Sequence, residues 1–89
     1  MNREQRIHAL LTEAFHPKAL KIVDDSHKHA GHAGAKPEGE THYRVMIVSE
    51  IFEGKTRVAR QRAVNTALKS EFNTGLHALQ LSVHAISEV

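Results

Sequence analysis

Apolar residues recur with helical spacing near the start of the chain. They fall at positions i, i+3, i+4, i+7 and i+8, namely Ile7, Leu10, Leu11, Ala14 and Phe15. Such spacing forms one stripe of an amphipathic helix. Asn2 and Gln5 have the spacing of a capping box, and Pro17 disfavours helical geometry at His16. We therefore predict a helix over residues 2–16.

The pattern then changes to the alternation that is typical of strands. Residues 20–23 form a short β-prone segment, and residues 41–49 place Tyr43, Val45 and Ile47 on one face. We predict that these two strands form an antiparallel hairpin. The residues between them, about 27–40, are rich in His, Gly, Ala and Pro and show no apolar periodicity, which predicts a long, mobile loop.

A second helix and a last strand complete the pattern. Gly54 interrupts the chain, Thr56 is a candidate N-cap, and Gly75 suits the end of the helix. Three residues form the inward stripe of this helix: Val64, Leu68 and Phe72. The closing strand alternates, with His77, Leu79, Leu81 and Val83 expected on one face.

The predicted order is α-β-β-(short turn)-α-β, with the short turn near 52–56. A strand–helix–strand connection crosses over right-handed, so the last two strands should be parallel. The fold class is therefore α+β, with a three-stranded mixed sheet and helices packed on one face.

Size and composition limit the classes of function. A chain of 89 residues forms one domain with a modest core, which favours a binding or carrier module over an enzyme. The formal net charge of +2 suits nucleic acid or acidic partners without requiring either. There is no cysteine, which excludes disulfides and thiolate metal ligands from this chain. No apolar run approaches the roughly 20 residues of a membrane span, and no signal peptide is visible, so we expect a cytoplasmic protein.

Histidine is the outstanding residue type, with eight in the chain. The stretch "DDSHKHAGHAG" holds His27, His29 and His32. Neutral imidazole is a good ligand for Zn, Cu, Ni or Fe. The alternative is a solvated loop without a function, since Gly31 and Gly34 leave it too flexible to form a rigid three-histidine site unaided.

Two further features carry candidate chemistry. His77 stands at the start of the last strand, either as a satisfied core residue or as a rim residue with one ring nitrogen free. Arg57, Arg60 and Arg62 crowd the first turns of a helix, where the dipole disfavours cations. They form either an anion or nucleic-acid surface or an ordinary solvated face. Arg44 and Lys55 are candidates to extend it.

Four blocks of the chain, in order, resemble the BolA family over roughly residues 5–86. "VDDSHKH" resembles the family's V-x-(D/E)-x-S-x-x-H, and "GETHYRVMIVSEIFEGK" its (S/T)-H-F-x-V block. "RQRAVNTAL" resembles R-H-R-x-V-(Y/N)-x-x-L, and "GLHALQL" the closing V-H-A-L. The chain departs from this pattern at Gln61, where the family has a histidine, and in a longer loop.

The resemblance implies a class II KH-like fold and a heterodimer with a monothiol glutaredoxin. In that family a [2Fe–2S] cluster is shared between the partners, with sulfur from the glutaredoxin and glutathione. Carried over to this chain, the histidine ligands are His77 and the loop residue His29, with His32 as an extra imidazole beside it. We expect the isolated protein to be a monomer without the cluster.

Two hypotheses follow. The first is a cluster-sharing partner or regulator of a monothiol glutaredoxin in iron–sulfur trafficking or iron regulation. The alternative is a nucleic-acid-binding transcriptional regulator that uses the KH-like fold and the basic residues Lys55, Arg57, Arg60 and Arg62. "GHAG" matches the G-x-x-G clamp of KH domains, but it joins two strands rather than two helices. The sequence offers no nucleophile–base pair, so we do not expect an enzyme.

Overall fold

The computed structural model describes residues 1–26 and 41–89. The predicted mobile loop at about 27–40 lies outside the described residues. The elements, in chain order, are α1 (Arg3–Phe15), β1 (Ala19–Asp24), β2 (His42–Val48), a 3₁₀ turn (Glu50–Phe52), α2 (Arg57–Ala67), α3 (Lys69–Asn73), β3 (Ala78–His84) and a second 3₁₀ turn (Ile86–Glu88).

Local sequence signals set both ends of α1. The Asn2 side chain accepts a hydrogen bond from the backbone N–H of Gln5, and the Gln5 side chain accepts one from the backbone N–H of Asn2, both at 2.9 Å. The predicted capping box is therefore confirmed. The helix ends at Phe15 because His16 takes a left-handed conformation, with φ of 44°, immediately before Pro17.

The sheet has the predicted mixed topology, with the order β1-β2-β3. β1 pairs antiparallel with β2, and β3 pairs parallel with β2. This order is compatible with a class II KH-like description. The inner face of central strand β2 is buried through Tyr43, Val45 and Ile47. It packs in one core with residues of α1 and α2, including Ile7, Leu11, Phe15 and Val64.

The second helix differs from its prediction by a break. The chain leaves helical geometry at Leu68 (φ −102°, ψ 14°), which separates α2 from α3. Leu68 is fully buried, so the break lies where the chain is anchored in the core. α3 ends as predicted near Gly75, which has a positive φ of 129°. The backbone N–H of Leu76 donates to the Glu71 carbonyl at 2.9 Å, the bond typical of a Schellman end.

The two short turns also refine the prediction. The turn expected near 52–56 lies at Glu50–Phe52, where the Ser49 hydroxyl accepts from the N–H of Ile51 at 3.2 Å. The C-terminal turn was not predicted, because the last residues have no apolar periodicity. Within residues 1–26 and 41–89, no helix is long and apolar enough to cross a membrane.

Candidate functional site

A buried serine joins the end of β1 to the start of β2. The Ser26 hydroxyl accepts hydrogen bonds from the backbone N–H groups of Thr41, at 2.8 Å, and His42, at 3.0 Å. Ser26 itself is oriented by Asp24, whose carboxylate accepts from the Ser26 N–H at 2.8 Å. Ser26 and Thr41 are 3% and 1% exposed. The two residues that flank segment 27–40 are therefore held together at one end of the sheet.

The same end of the sheet positions His77. The Thr41 carbonyl accepts from the backbone N–H groups of both His77 and Ala78, at 2.8 and 3.0 Å. Successive N–H groups of a regular strand point in opposite directions, so two hydrogen bonds to one carbonyl interrupt the pleat. β3 consequently begins at Ala78, and the predicted alternation with Leu79 does not extend to His77.

His77 lies instead beside a second histidine, His42. The side chain of His77 is exposed, and its ring centroid lies 5.4 Å from that of His42, with the rings tilted by 52°. His42 is only 7% exposed, and its Nδ1 shares a hydrogen bond of 2.8 Å with Thr41 Oγ1. His42 is not among the candidate residues predicted from the sequence, so the pair was missed. The parallel register, which sets His42 opposite Ala78, is the signal that would have found it.

The described residues do not bring together a set of metal-ligating side chains. Among them, no group of three or more His, Asp or Glu side chains could hold a metal ion. The predicted loop ligands His29 and His32 lie outside the described residues. Of the three predicted ligands, His77 alone lies among the described residues, where it is an exposed imidazole on a hydrogen-bonded backbone.

The structure divides the predicted basic surface. Arg60 is engaged in contacts within the protein: its guanidinium donates two hydrogen bonds to the Glu88 carboxylate, at 2.6 and 2.8 Å, and one to the Lys55 carbonyl, at 3.0 Å. Its side chain is only 12% exposed. Arg57, Arg62 and Lys55 are exposed.

The exposed cations line two different depressions of the surface. Lys55 and Arg57 line a groove of about 560 Å³ that also contacts Ser82 and His84 of β3. Arg62 lines a different depression, against Ala14 and Phe15 of α1. Arg44 forms an ion pair with Asp25 and lines a depression with Lys21 and Gln80, which adjoins the groove at Ser82.

The Arg60–Glu88 pair changes the acidity of both groups. Hydrogen bonding to Arg60, helped by the backbone N–H of Ala85, lowers the pKa of Glu88 to about 2. The same hydrogen bond raises the pKa of Arg60. An ion pair between Arg60 and Glu88 therefore links the C-terminal 3₁₀ turn to α2.

Comparison with known proteins identifies the family of this chain. A model of the family described as "BolA-like protein" matches residues 11–88. The chain belongs to the BolA-like family. The solved BolA domain of SufE1 from Arabidopsis thaliana is similar to it, with a TM-score of 0.90 and 38% identity, covering 100% of this chain and 98% of that one.

Two curated relatives extend the comparison. The chain is 45% identical over 89 residues to Protein BOLA1, chloroplastic, of Arabidopsis thaliana, covering 98% of this chain and 56% of the relative. It is 37% identical over 84 residues to the DNA-binding transcriptional regulator BolA of Escherichia coli, covering 94% and 76%. One relative is thus named for an organelle and the other as a regulator. A cytoplasmic location for this BolA-like chain stays a prediction.

Proposed function

We propose that this BolA-like protein is a partner or regulator of a monothiol glutaredoxin, sharing a [2Fe–2S] cluster in iron–sulfur trafficking or iron regulation. The observation that carries the proposal is the exposed imidazole of His77, fixed through its backbone to Thr41. The Thr41–Ser26 hydrogen bond brings the ends of the histidine-rich segment to the same place.

The donor set fits a shared cluster. The chain has no cysteine, and the described residues offer no complete ligand set, so sulfur must come from the glutaredoxin and glutathione. His29 follows Ser26 by three residues, and three residues of extended chain span at most about 11 Å. The length of the chain therefore limits how far His29 can be from Ser26. A histidine ligand on a [2Fe–2S] cluster raises its reduction potential, as in Rieske centres. In this scheme His77 is one ligand, and His29 or His32 is the other.

Reconstitution with a monothiol glutaredoxin and glutathione tests the proposal. Visible absorption and circular dichroism of the heterodimer should change in His77→Ala, because an imidazole ligand is lost. His8→Ala, which removes an exposed imidazole from α1, should keep the wild-type spectrum. A wild-type spectrum for His77→Ala would refute the ligand assignment. Substituting His29 and His32 singly and together then identifies the loop ligand.

A second candidate function is nucleic-acid binding in transcriptional regulation. The name of the E. coli relative and the exposed Lys55 and Arg57 on one groove favour it. Arg60 is unsuited to phosphate contact because Glu88 already occupies its guanidinium.

Fluorescence anisotropy with duplex DNA at several salt concentrations tests this second function. The logarithm of the association constant should fall linearly with the logarithm of the salt concentration, with a slope of about −0.9 for each phosphate contacted. Arg57→Ala should reduce that slope by about 0.9, while Arg62→Ala, which lies on another surface, should leave it unchanged. Equal slopes for the wild-type protein and Arg57→Ala would contradict the assignment.

A further inference from the structure

His42 is held at both its backbone and its ring. Its backbone N–H donates to Ser26 Oγ at 3.0 Å, and its carbonyl accepts from the backbone N–H of Asp25 at 2.8 Å. Its ring is tied through Nδ1 to Thr41 Oγ1 at 2.8 Å. Since the residue is only 7% exposed, neither its backbone nor its ring has room to reorient.

His77 is fixed differently. Its backbone N–H is bonded to the Thr41 carbonyl at 2.8 Å, but its side chain is exposed. An exposed side chain exchanges between rotamers within picoseconds to nanoseconds unless a neighbour selects one of them. The tilted ring of His42, with its centroid 5.4 Å away, lies within the range of favourable contacts between π-systems.

We propose that His42 is a positioning residue for His77: its anchored ring selects one orientation of the exposed imidazole before any partner binds. This inference rests on the proposed function where it concerns the cluster, since an ordered ligand is presented to the partner without a search among rotamers. Outer-shell partners that hydrogen-bond to metal ligands typically change metal affinity about 10–100-fold, and we expect the lower end of that range for a ring contact. The ordering of His77 in the free protein does not depend on the cluster.

Three variants separate the His42 ring from its anchor. His42→Ala removes both the ring and the hydrogen bond to Thr41. His42→Asn removes the ring but keeps a polar group where Nδ1 lies. His42→Phe keeps a ring of similar size and gives up the hydrogen bond. If the ring contact positions His77, the His77 side chain should stay in one rotamer in the variant that keeps a ring at position 42. It should become mobile in the two variants that lack one.

The first measurement is the χ1 rotamer distribution of His77 in the free protein, from three-bond NMR couplings. We expect one rotamer in the wild type and in His42→Phe, and averaged couplings in His42→Ala and His42→Asn. Amide spectra report whether each variant is folded. A single His77 rotamer in either ringless variant that folds would overturn the proposal. Averaged couplings in the wild type would overturn it as well.

The second measurement is cluster retention in the reconstituted heterodimer. His42→Asn should release the cluster about tenfold faster than the wild type, with His42→Phe close to the wild type. If His77→Ala leaves the visible spectrum unchanged while His42→Ala and His42→Asn, but not His42→Phe, alter the His77 rotamers, the cluster function fails and the positioning role stands. If His77→Ala alters the spectrum while both ringless variants keep the wild-type His77 rotamer, the positioning role fails and the cluster function stands.

Discussion

A buried carboxylate joins the first helix to the last, and its removal gives a sharp test of what holds this fold together. The Glu71 side chain accepts from the guanidinium of Arg3 at 2.9 Å and from that of Arg6 at 3.0 and 3.1 Å. The side chains of Arg3 and Glu71 are 8% and 5% exposed. Glu71→Ala therefore leaves the Arg3 charge buried without its carboxylate.

The size of the effect follows from the partners that remain. Removing one member of a buried ion pair costs about 3–5 kcal/mol. Arg3 keeps hydrogen bonds to the Glu71 carbonyl and to both Thr74 oxygens, so we expect the lower end, about 3 kcal/mol. Arg6→Ala is the matched control, because its side chain is 39% exposed and exposed pairs contribute at most about 1 kcal/mol.

Urea denaturation followed by circular dichroism measures the loss of unfolding free energy in Glu71→Ala and in Arg6→Ala. Glu71→Ala should lower the midpoint strongly with an unchanged m-value, and the melting temperature should fall by about 12–24 °C for a domain of this size. The double variant Arg3→Met/Glu71→Leu should recover much of the loss, because it leaves no buried charge. If Glu71→Ala costs no more than Arg6→Ala, the pair is not acting as a buried one.

Two further predictions concern the turns. Because the folded-state pKa of Glu88 is lowered from 4.5 to about 2, its pair with Arg60 stabilises the fold fully above pH 4.5, and that contribution is lost as the pH falls from 4.5 towards 2. Comparison of Glu88→Gln with the wild type in pH-dependent unfolding should show a smaller loss of stability in the variant over this range; identical pH profiles would contradict the assignment. Gly54→Ala should destabilise by about 1 kcal/mol in thermal unfolding, since φ is +74° and a Cβ at a left-handed position is strained. No neighbour lies within 4 Å of that Cβ, so a much larger loss would show that strain is not the cause.

Elements with local signals were predictable from the sequence. The capping box at Asn2, the N-cap at Thr56 and the alternation around Tyr43 all act within a few residues, and each element was confirmed with small shifts at its ends. The break at Leu68 was not predictable, because helical periodicity runs through it and the burial that anchors it is tertiary.

The basic cluster shows why charge patterns are weaker evidence than apolar patterns. Arg57, Arg60 and Arg62 crowd the first turns of α2, and the sequence left open whether they form an anion-binding surface or an ordinary solvated face. The guanidinium of Arg60 is bonded to Glu88, which lies 28 residues away along the chain in a turn that carries no sequence signal. Arg60 is therefore not available to a partner in the way that Arg57 is. An arginine bonded to a carboxylate of its own chain has its planar donors satisfied, so counting cations overstated this surface.

The histidines show the opposite case, in which the structure adds a residue that the pattern left out. Residues 42 and 77 are distant in sequence, and they meet because β3 runs parallel to β2 and starts where β2 starts. Parallel strands begin at the same edge of a sheet. The backbone of Thr41 is therefore hydrogen-bonded both to Ser26, at the end of β1, and to His77 and Ala78, at the start of β3. His77 lies at that edge, with Ser26 and Thr41, the residues that flank the histidine-rich segment, beside it and the His42 ring against it, so the sheet sets the position of its backbone. Under the proposed function, this edge of the sheet presents one histidine ligand, and the other ligands of the shared cluster come from the histidine-rich segment and the partner.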